Sequence, residues 1–182
     1  YRRAKEDPTI KLKIMTALSL EIPKGKSPLE NRLVGPLAER IFGGCPELEY
    51  MKDLRGGKIP ANVELWEFYS KAGSMMALPE QQRHHLPSNY THVSRDAYFT
   101  QNTNVFGQMI ACREIDGKVM YSMGCNTDIN VTANLFLNQG KTEGKKRVLI
   151  GEVNENLPFM YGDAINQPEQ WDVFLKGPQF NY

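Results

Sequence analysis

The chain has 182 residues, 41% hydrophobic and 24% charged, with 22 Lys and Arg against 21 Asp and Glu for a net charge of +1. Those figures suit one globular domain with a real core, and nothing in the charge balance argues for nucleic acid or anionic lipid as an obligatory partner. No apolar run approaches the roughly 20 residues that span a bilayer, so the expectation is a cytoplasmic protein with no nucleic-acid or membrane partner.

The chain opens on Tyr1 and the charged run "YRRAKED", as a processed protein or a piece of a longer one would. In "IKLKIMTALSL" the apolar Ile10, Leu12 and Ile14 alternate with Lys11 and Lys13, which is a strand entering a core. "SPLENRLVGPLAERIFGG" carries a helix start, with Ser27 as N-cap, Pro28 in the first turn and Glu30 three residues after the cap. Leu29, Leu33, Leu37 and Ile41 recur every four residues on one face, and Gly43-Gly44 ends the run. Gly35-Pro36 is expected to kink or divide this helix.

A short helix is expected over Pro46–Leu54, a strand over Asn62–Tyr69 and a helix over Thr91–Asn102. A strand Val105–Glu114 then leads through the tight-turn dipeptide Asp116-Gly117 into a hairpin. Asp128 is expected to cap a helix from Ile129 to about Asn138, with Ile129, Thr132, Ala133 and Phe136 on one face. A polar loop over residues 140–146 precedes a strand Val148–Val153, and a last strand is expected at Val173–Leu175. Strands that alternate with helices predict an α/β layered sandwich, its largely parallel sheet flanked by helices.

Three features invite a chemical reading. His84-His85 with His92 has no Cys, Asp or Glu at a ligand-like interval, so no metal site is expected. Cys125 sits at a strand-to-helix junction, where a helix N-terminus favours the thiolate, but no base stands nearby in sequence. With Cys45 and Cys112 it makes an odd set of three without paired spacing, which suits a reducing, intracellular setting. Third, "GEVNENLP" places Glu152, Asn154, Glu155 and Asn156 at the carboxyl end of a strand, the side where α/β sheets bind ligands. By themselves these residues do no more than the polar termination that every strand end needs.

Taken together, "YSMGCNTDINVTANLFLNQGK" and "KRVLIGEVNENLPFMYGDA" resemble the acetyl-CoA hydrolase / acetate (4-hydroxybutyrate) CoA-transferase family. Gly124, Asn126 and Asp128 match its strand-to-helix junction; Glu152, Val153, Asn154, Asn156, Pro158 and Gly162 match its second motif. The resemblance covers roughly Ile10 to the C-terminus and is specific from Asn89 to Asp163. It implies a CoA-transferase-like fold and an enzyme in which a glutamate attacks a short-chain acyl-CoA, giving an acyl-glutamyl anhydride and then a glutamyl-CoA thioester. That glutamate belongs to the family's C-terminal domain. Residues 1–182 would thus be a single domain, most of the N-terminal half of a two-domain enzyme, with no catalytic residue in this chain and no activity alone.

The resemblance further implies that Asn126, Asn154 and Asn156 contact substrate. It implies no tightly bound cofactor, with the coenzyme A thioester entering as substrate. Its partners would be acyl-CoA, a small carboxylate in a transferase, the chain's own C-terminal domain and a second copy in a homo-oligomer. Many relatives carry an arginine directly after the motif's proline, where this chain has Phe159. The alternative is a non-catalytic α/β assembly or regulatory domain of a larger protein.

Overall fold

A computed structural model describes residues 1–177. The backbone gathers into two compact units, Tyr1–Pro87 and the remainder from Ser88.

The first unit is built on a parallel pair. Strand β1 (Leu12–Thr16) lies against β2 (Val63–Glu67), in register from Leu12 opposite Val63 to Thr16 opposite Glu67. On β2 the side chains alternate, so Val63, Leu65 and Glu67 are buried while Glu64 faces out. The charged opening forms a short helix, α1 (Arg2–Glu6), whose Ala4 is buried. Helix α3 (Glu49–Arg55) adds Met51 and Leu54 to the core. Buried Asn62 pins the pieces together, its side-chain amide donating to the carbonyls of Ala4 (2.7 Å) and Ile10 (2.8 Å).

Helix α2 (Pro28–Phe42) starts as expected: the Glu30 N–H donates to Ser27 Oγ at 3.2 Å, while the Glu30 carboxylate accepts the Lys26 N–H. It runs unbroken through Gly35-Pro36, so the expected division does not occur. Proline lacks one N–H, and losing that bond leaves the ladder continuous on either side. Ala38 is its buried residue, whereas Leu29 and Leu33 are 74% and 75% exposed. A short α4 (Pro79–Arg83) completes the unit, with buried Gln81 donating to the Leu65 carbonyl at 3.0 Å.

The second unit begins irregularly. The helix expected over Thr91–Asn102 is a 3-10 turn (Tyr90–His92), an α-turn, α5 (Val93–Arg95), and a π-turn (Asp96–Thr100) in succession. Strand β3 (Val105–Ile115) turns back into β4 (Lys118–Ser122) through Asp116-Gly117, both at positive φ (50° and 74°), the two-residue turn the dipeptide predicts. Helix α6 (Thr127–Thr142) leads to β5 (Val148–Val153), which matches the predicted strand. Strands β6 (Ile165–Asn166) and β7 (Val173–Leu175) complete a five-stranded sheet in the order β6-β4-β3-β5-β7. The pairs β3–β5 and β5–β7 are parallel, and the hairpin and β4–β6 are antiparallel. Three of the five strand pairings among the described residues are therefore parallel, in a mixed α/β structure.

Ile110, Met123, Leu137, Leu149, Val153 and Trp171 form the core of this unit. Helix α6 corrects the sequence reading in two ways. It begins at Thr127 rather than after an Asp128 cap, and its buried stripe is Asn130, Ala133, Asn134, Leu137 and Gly140, with Thr132 exposed. The stripe keeps helical spacing, but two of its members are asparagines whose amides are used internally. Asn130 donates to the Cys125 carbonyl, and Asn134 reaches Asn166 Oδ1 at 3.4 Å. A search for apolar residues alone passes over both.

Candidate functional site

In the second unit the two motifs meet. Ser122, fully buried at the end of β4, donates to the Met160 carbonyl (2.7 Å) and accepts the Met160 N–H (2.9 Å), so a side chain continues the sheet's pairing. Two residues on, Gly124 passes so close to Pro158 that a Cβ there would overlap the Pro158 carbonyl oxygen. Only glycine permits that approach. The "GCNTD" turn thus lies on the "NENLP" loop at the carboxyl end of β5.

The three candidate asparagines play different parts. Asn126 is exposed, at the N-terminus of α6 in the left-handed region (φ 48°, ψ 50°), which asparagine tolerates better than most residues. Its amide donates to Tyr90 Oη at 3.2 Å, and Tyr90 donates to Asp128 Oδ1 at 3.1 Å, joining two motif residues through one phenol. Asn154 is 5% exposed, and its Oδ1 accepts the Asn156 N–H at 2.9 Å, a local turn that fixes the loop. Asn156 itself is exposed. Asn126 and Asn156 present amides to solvent, and Asn154 shapes the loop beneath them.

The position after Pro158 is also resolved. Phe159 packs edge-on against Tyr161, and the Arg113 guanidinium lies 5.2 Å from the Phe159 ring while donating to Tyr161 Oη at 3.0 Å. Arg113 comes from the end of β3, beyond the last residue paired with β5. The loop therefore carries a cation, supplied by a neighbouring strand. Cys125 donates to Asn126 Oδ1 at 3.3 Å. His84 stacks on Trp66 at 5.0 Å, and no cluster of three or more His, Cys, Asp or Glu is placed for a metal among the described residues.

The first unit holds a feature the motif reading missed. Past the carboxyl ends of β1 and β2 lies a cleft of about 660 Å³, lined by residues including Ser19, Lys24, Glu47, Lys52, Arg55 and Glu67. Its wall contains five cationic side chains (Lys24, Lys26, Lys52, Arg55, Lys71) and three carboxylates (Glu21, Glu47, Glu67). Glu47 bridges Lys24 (2.7 Å) and Lys52 (2.6 Å), whose hydrogen bonds hold its carboxyl down to about 2. Arg55 is held by Glu21 at 2.6 Å, and that hydrogen bond raises its pKa.

Glu67 is unlike the others. It is 3% exposed; Oε1 accepts the Ser19 N–H at 3.1 Å, and Oε2 is buried with no hydrogen-bond partner. Ser19 continues to Tyr50 Oη at 3.2 Å. Burial pushes the Tyr50 phenol up; the Ser19 contact pulls the other way, and the Glu67 carboxylate adds to the rise. A second cavity of about 190 Å³, lined by Gln81, Gln82 and His85 among others, also abuts Glu67. The signal was present in "VELWE", where period-two alternation puts a carboxylate on the buried face.

No protein-family model matches the chain, and no curated protein matches it. Solved structures do match. A glutamate-to-alanine variant of RipA superposes with a TM-score of 0.52 at 17% identity, over 94% of this chain and 39% of that one. RipA from Yersinia pestis gives 0.47 at 16% identity, over 66% and 28%. A 4-hydroxybutyrate CoA-transferase from Porphyromonas gingivalis gives 0.42 at 12% identity, over all of this chain and 39% of that one. Identities this low speak to fold alone, and the fold is shared with RipA. The chain spans no more than about two fifths of the length of these structures.

Proposed function

We propose that this chain is part of an acyl-CoA hydrolase or CoA-transferase that acts on short-chain acyl-CoA through a glutamyl-CoA intermediate. The observation that carries the proposal is the meeting of the two motifs: Gly124 on Pro158 and Ser122 on Met160 bring together segments over 30 residues apart, at the carboxyl edge of a parallel strand pair. Polar termination of one strand does not require a second motif to be fitted to it at a position only glycine allows.

In this reading a glutamate outside these 182 residues attacks the thioester carbonyl, expelling the coenzyme A thiolate and leaving an acyl-glutamyl anhydride. The thiolate then attacks the glutamyl carbonyl, releasing the acyl carboxylate. In a hydrolase, water then attacks the glutamyl carbonyl and releases coenzyme A and the free glutamate; in a transferase, a second carboxylate displaces the thiolate to form a new anhydride, whose acyl carbonyl the thiolate attacks to give the new acyl-CoA and the free glutamate. Asn126 and Asn156 supply amide hydrogen bonds to substrate, and Asn154 is a positioning residue.

The test is calorimetric titration of acetyl-CoA into the purified chain, alongside a thioesterase assay. Expected are no turnover, and binding that Asn126→Ala and Asn156→Ala each weaken about tenfold, or 1.4 kcal/mol. Turnover abolished by Glu152→Gln would overturn the placement of the nucleophile outside this chain. Binding untouched by both asparagine variants would overturn the site.

A further inference from the structure

We infer that α2 is a self-complementary docking surface that pairs antiparallel with α2 of a second copy of this chain. The helix has 15 residues, of which Ala38 is buried. Leu29, Leu33, Leu37 and Ile41 are 74%, 75%, 47% and 57% exposed and form a continuous apolar stripe at i, i+4, i+8 and i+12. A helix of this length is marginal in water without a packed apolar face, so the stripe calls for a cover.

The sequence of the helix says what covers it. Reflected about residue 35, Leu29 falls on Ile41, Leu33 on Leu37, and Glu30 on Arg40. At about 100° per residue the stripe centres midway between Leu33 and Leu37, with Glu30 and Arg40 about 40° to either side. A two-fold axis at that point lays apolar stripe on apolar stripe. It also sets Glu30 of each copy level with Arg40 of the other, the relation that an isologous interface requires. Both groups can take part. Glu30 and Arg40 are exposed, Arg40 makes no ion pair among the described residues, and Glu30 uses one carboxylate oxygen on the Lys26 N–H. A parallel pair would set Glu30 against Glu30 and Arg40 against Arg40, so the charges select the antiparallel register. One helix face is smaller than the roughly 800 Å² per partner of a standard interface, which makes the dimer weak.

Sedimentation equilibrium of the chain tests this. Expected is a reversible monomer–dimer equilibrium in the micromolar range, abolished by Leu33→Asp. Glu30→Arg alone and Arg40→Glu alone should each weaken self-association about tenfold, since each turns two attractive pairs into repulsive ones. An equimolar mixture of those two variants regains complementarity at both pairs and should associate as tightly as the unaltered chain, whereas cover by an unrelated segment gives no such rescue. Circular dichroism confirms that each variant keeps its helix. A chain that stays monomeric at about 1 mM, or a mixture no tighter than its components, overturns the proposal.

Discussion

Replacing Glu67 with glutamine tests whether its buried carboxylate is a cost to the fold. The carboxylate is 3% exposed and satisfied by one N–H, from Ser19. Taking such a charge out of water costs several kcal/mol after relaxation, and one charge-assisted bond returns only about 1.5–3 kcal/mol. Glutamine keeps Oε1 for Ser19 and removes the charge. It weakens that bond by about 1 kcal/mol and leaves an amide without an acceptor, at about 1–2 kcal/mol. The balance favours Glu67→Gln by about 1–2 kcal/mol. In urea melts followed by circular dichroism, the first unit should unfold at higher denaturant with an unchanged slope. Thermal melts should shift upward by about 4–8 °C per kcal/mol for a unit of this size. The same variant removes the negative charge beside Tyr50, so the Tyr50 phenol should ionise at lower pH in a spectrophotometric titration. Stability unchanged or lower in Glu67→Gln would refute the reasoning.

The remaining predictions concern the loop and the rim of the cleft. Asn154→Ala deletes the acceptor of the Asn156 N–H in a buried turn and should cost about 1–2 kcal/mol in urea melts, whereas exposed Asn156→Ala should stay within about 0.5 kcal/mol. Gly124→Ala forces the junction off the Pro158 carbonyl and should cost about 1–3 kcal/mol. It should also weaken acetyl-CoA binding more than Asn154→Ala does, because both motifs move. Glu47 has a folded-state pKa depressed to about 2 by Lys24 and Lys52, against an ordinary 4.5. Its contribution is therefore fully present above pH 4.5 and lost as the pH falls toward 2. Glu47→Gln should flatten the fall in urea midpoint across that window, and added salt should shrink the difference between the two proteins.

Local rules read the regular elements well where one physical signal dominates. Strand Val148–Val153, the strand at Val173–Leu175 and the Asp116-Gly117 turn stand where alternation and turn chemistry place them. They failed where another contribution competes. Proline at residue 36 did not divide α2, because one missing N–H is a local loss inside a helix with a good cap. The buried stripe of α6 was misread since Asn130 and Asn134 are spent on carbonyl and amide partners that only the tertiary fold supplies. Of the candidate site, the motifs were legible, yet their contact through Gly124 was not, as it joins residues distant in sequence.

Asn154 and Glu67 show how burial separates a polar residue that serves the fold from one that strains it. Both are nearly inaccessible, at 5% and 3%. Asn154 spends its oxygen on the Asn156 N–H and sits in a turn that the chain would otherwise have to build with backbone alone. Glu67 accepts one N–H and leaves Oε2 without a donor, in a wall that already carries five cations, none of them hydrogen-bonded to it. Packing alone would favour glutamine or an apolar residue at that place. The carboxylate thus rests on one N–H and on attraction from Arg55, which the Glu67→Gln melts weigh against the cost of burial. The polar loop and the buried carboxylate are therefore separable by experiment: Asn154→Ala should lower stability, exposed Asn156→Ala should lower binding at nearly unchanged stability, and Glu67→Gln should raise stability.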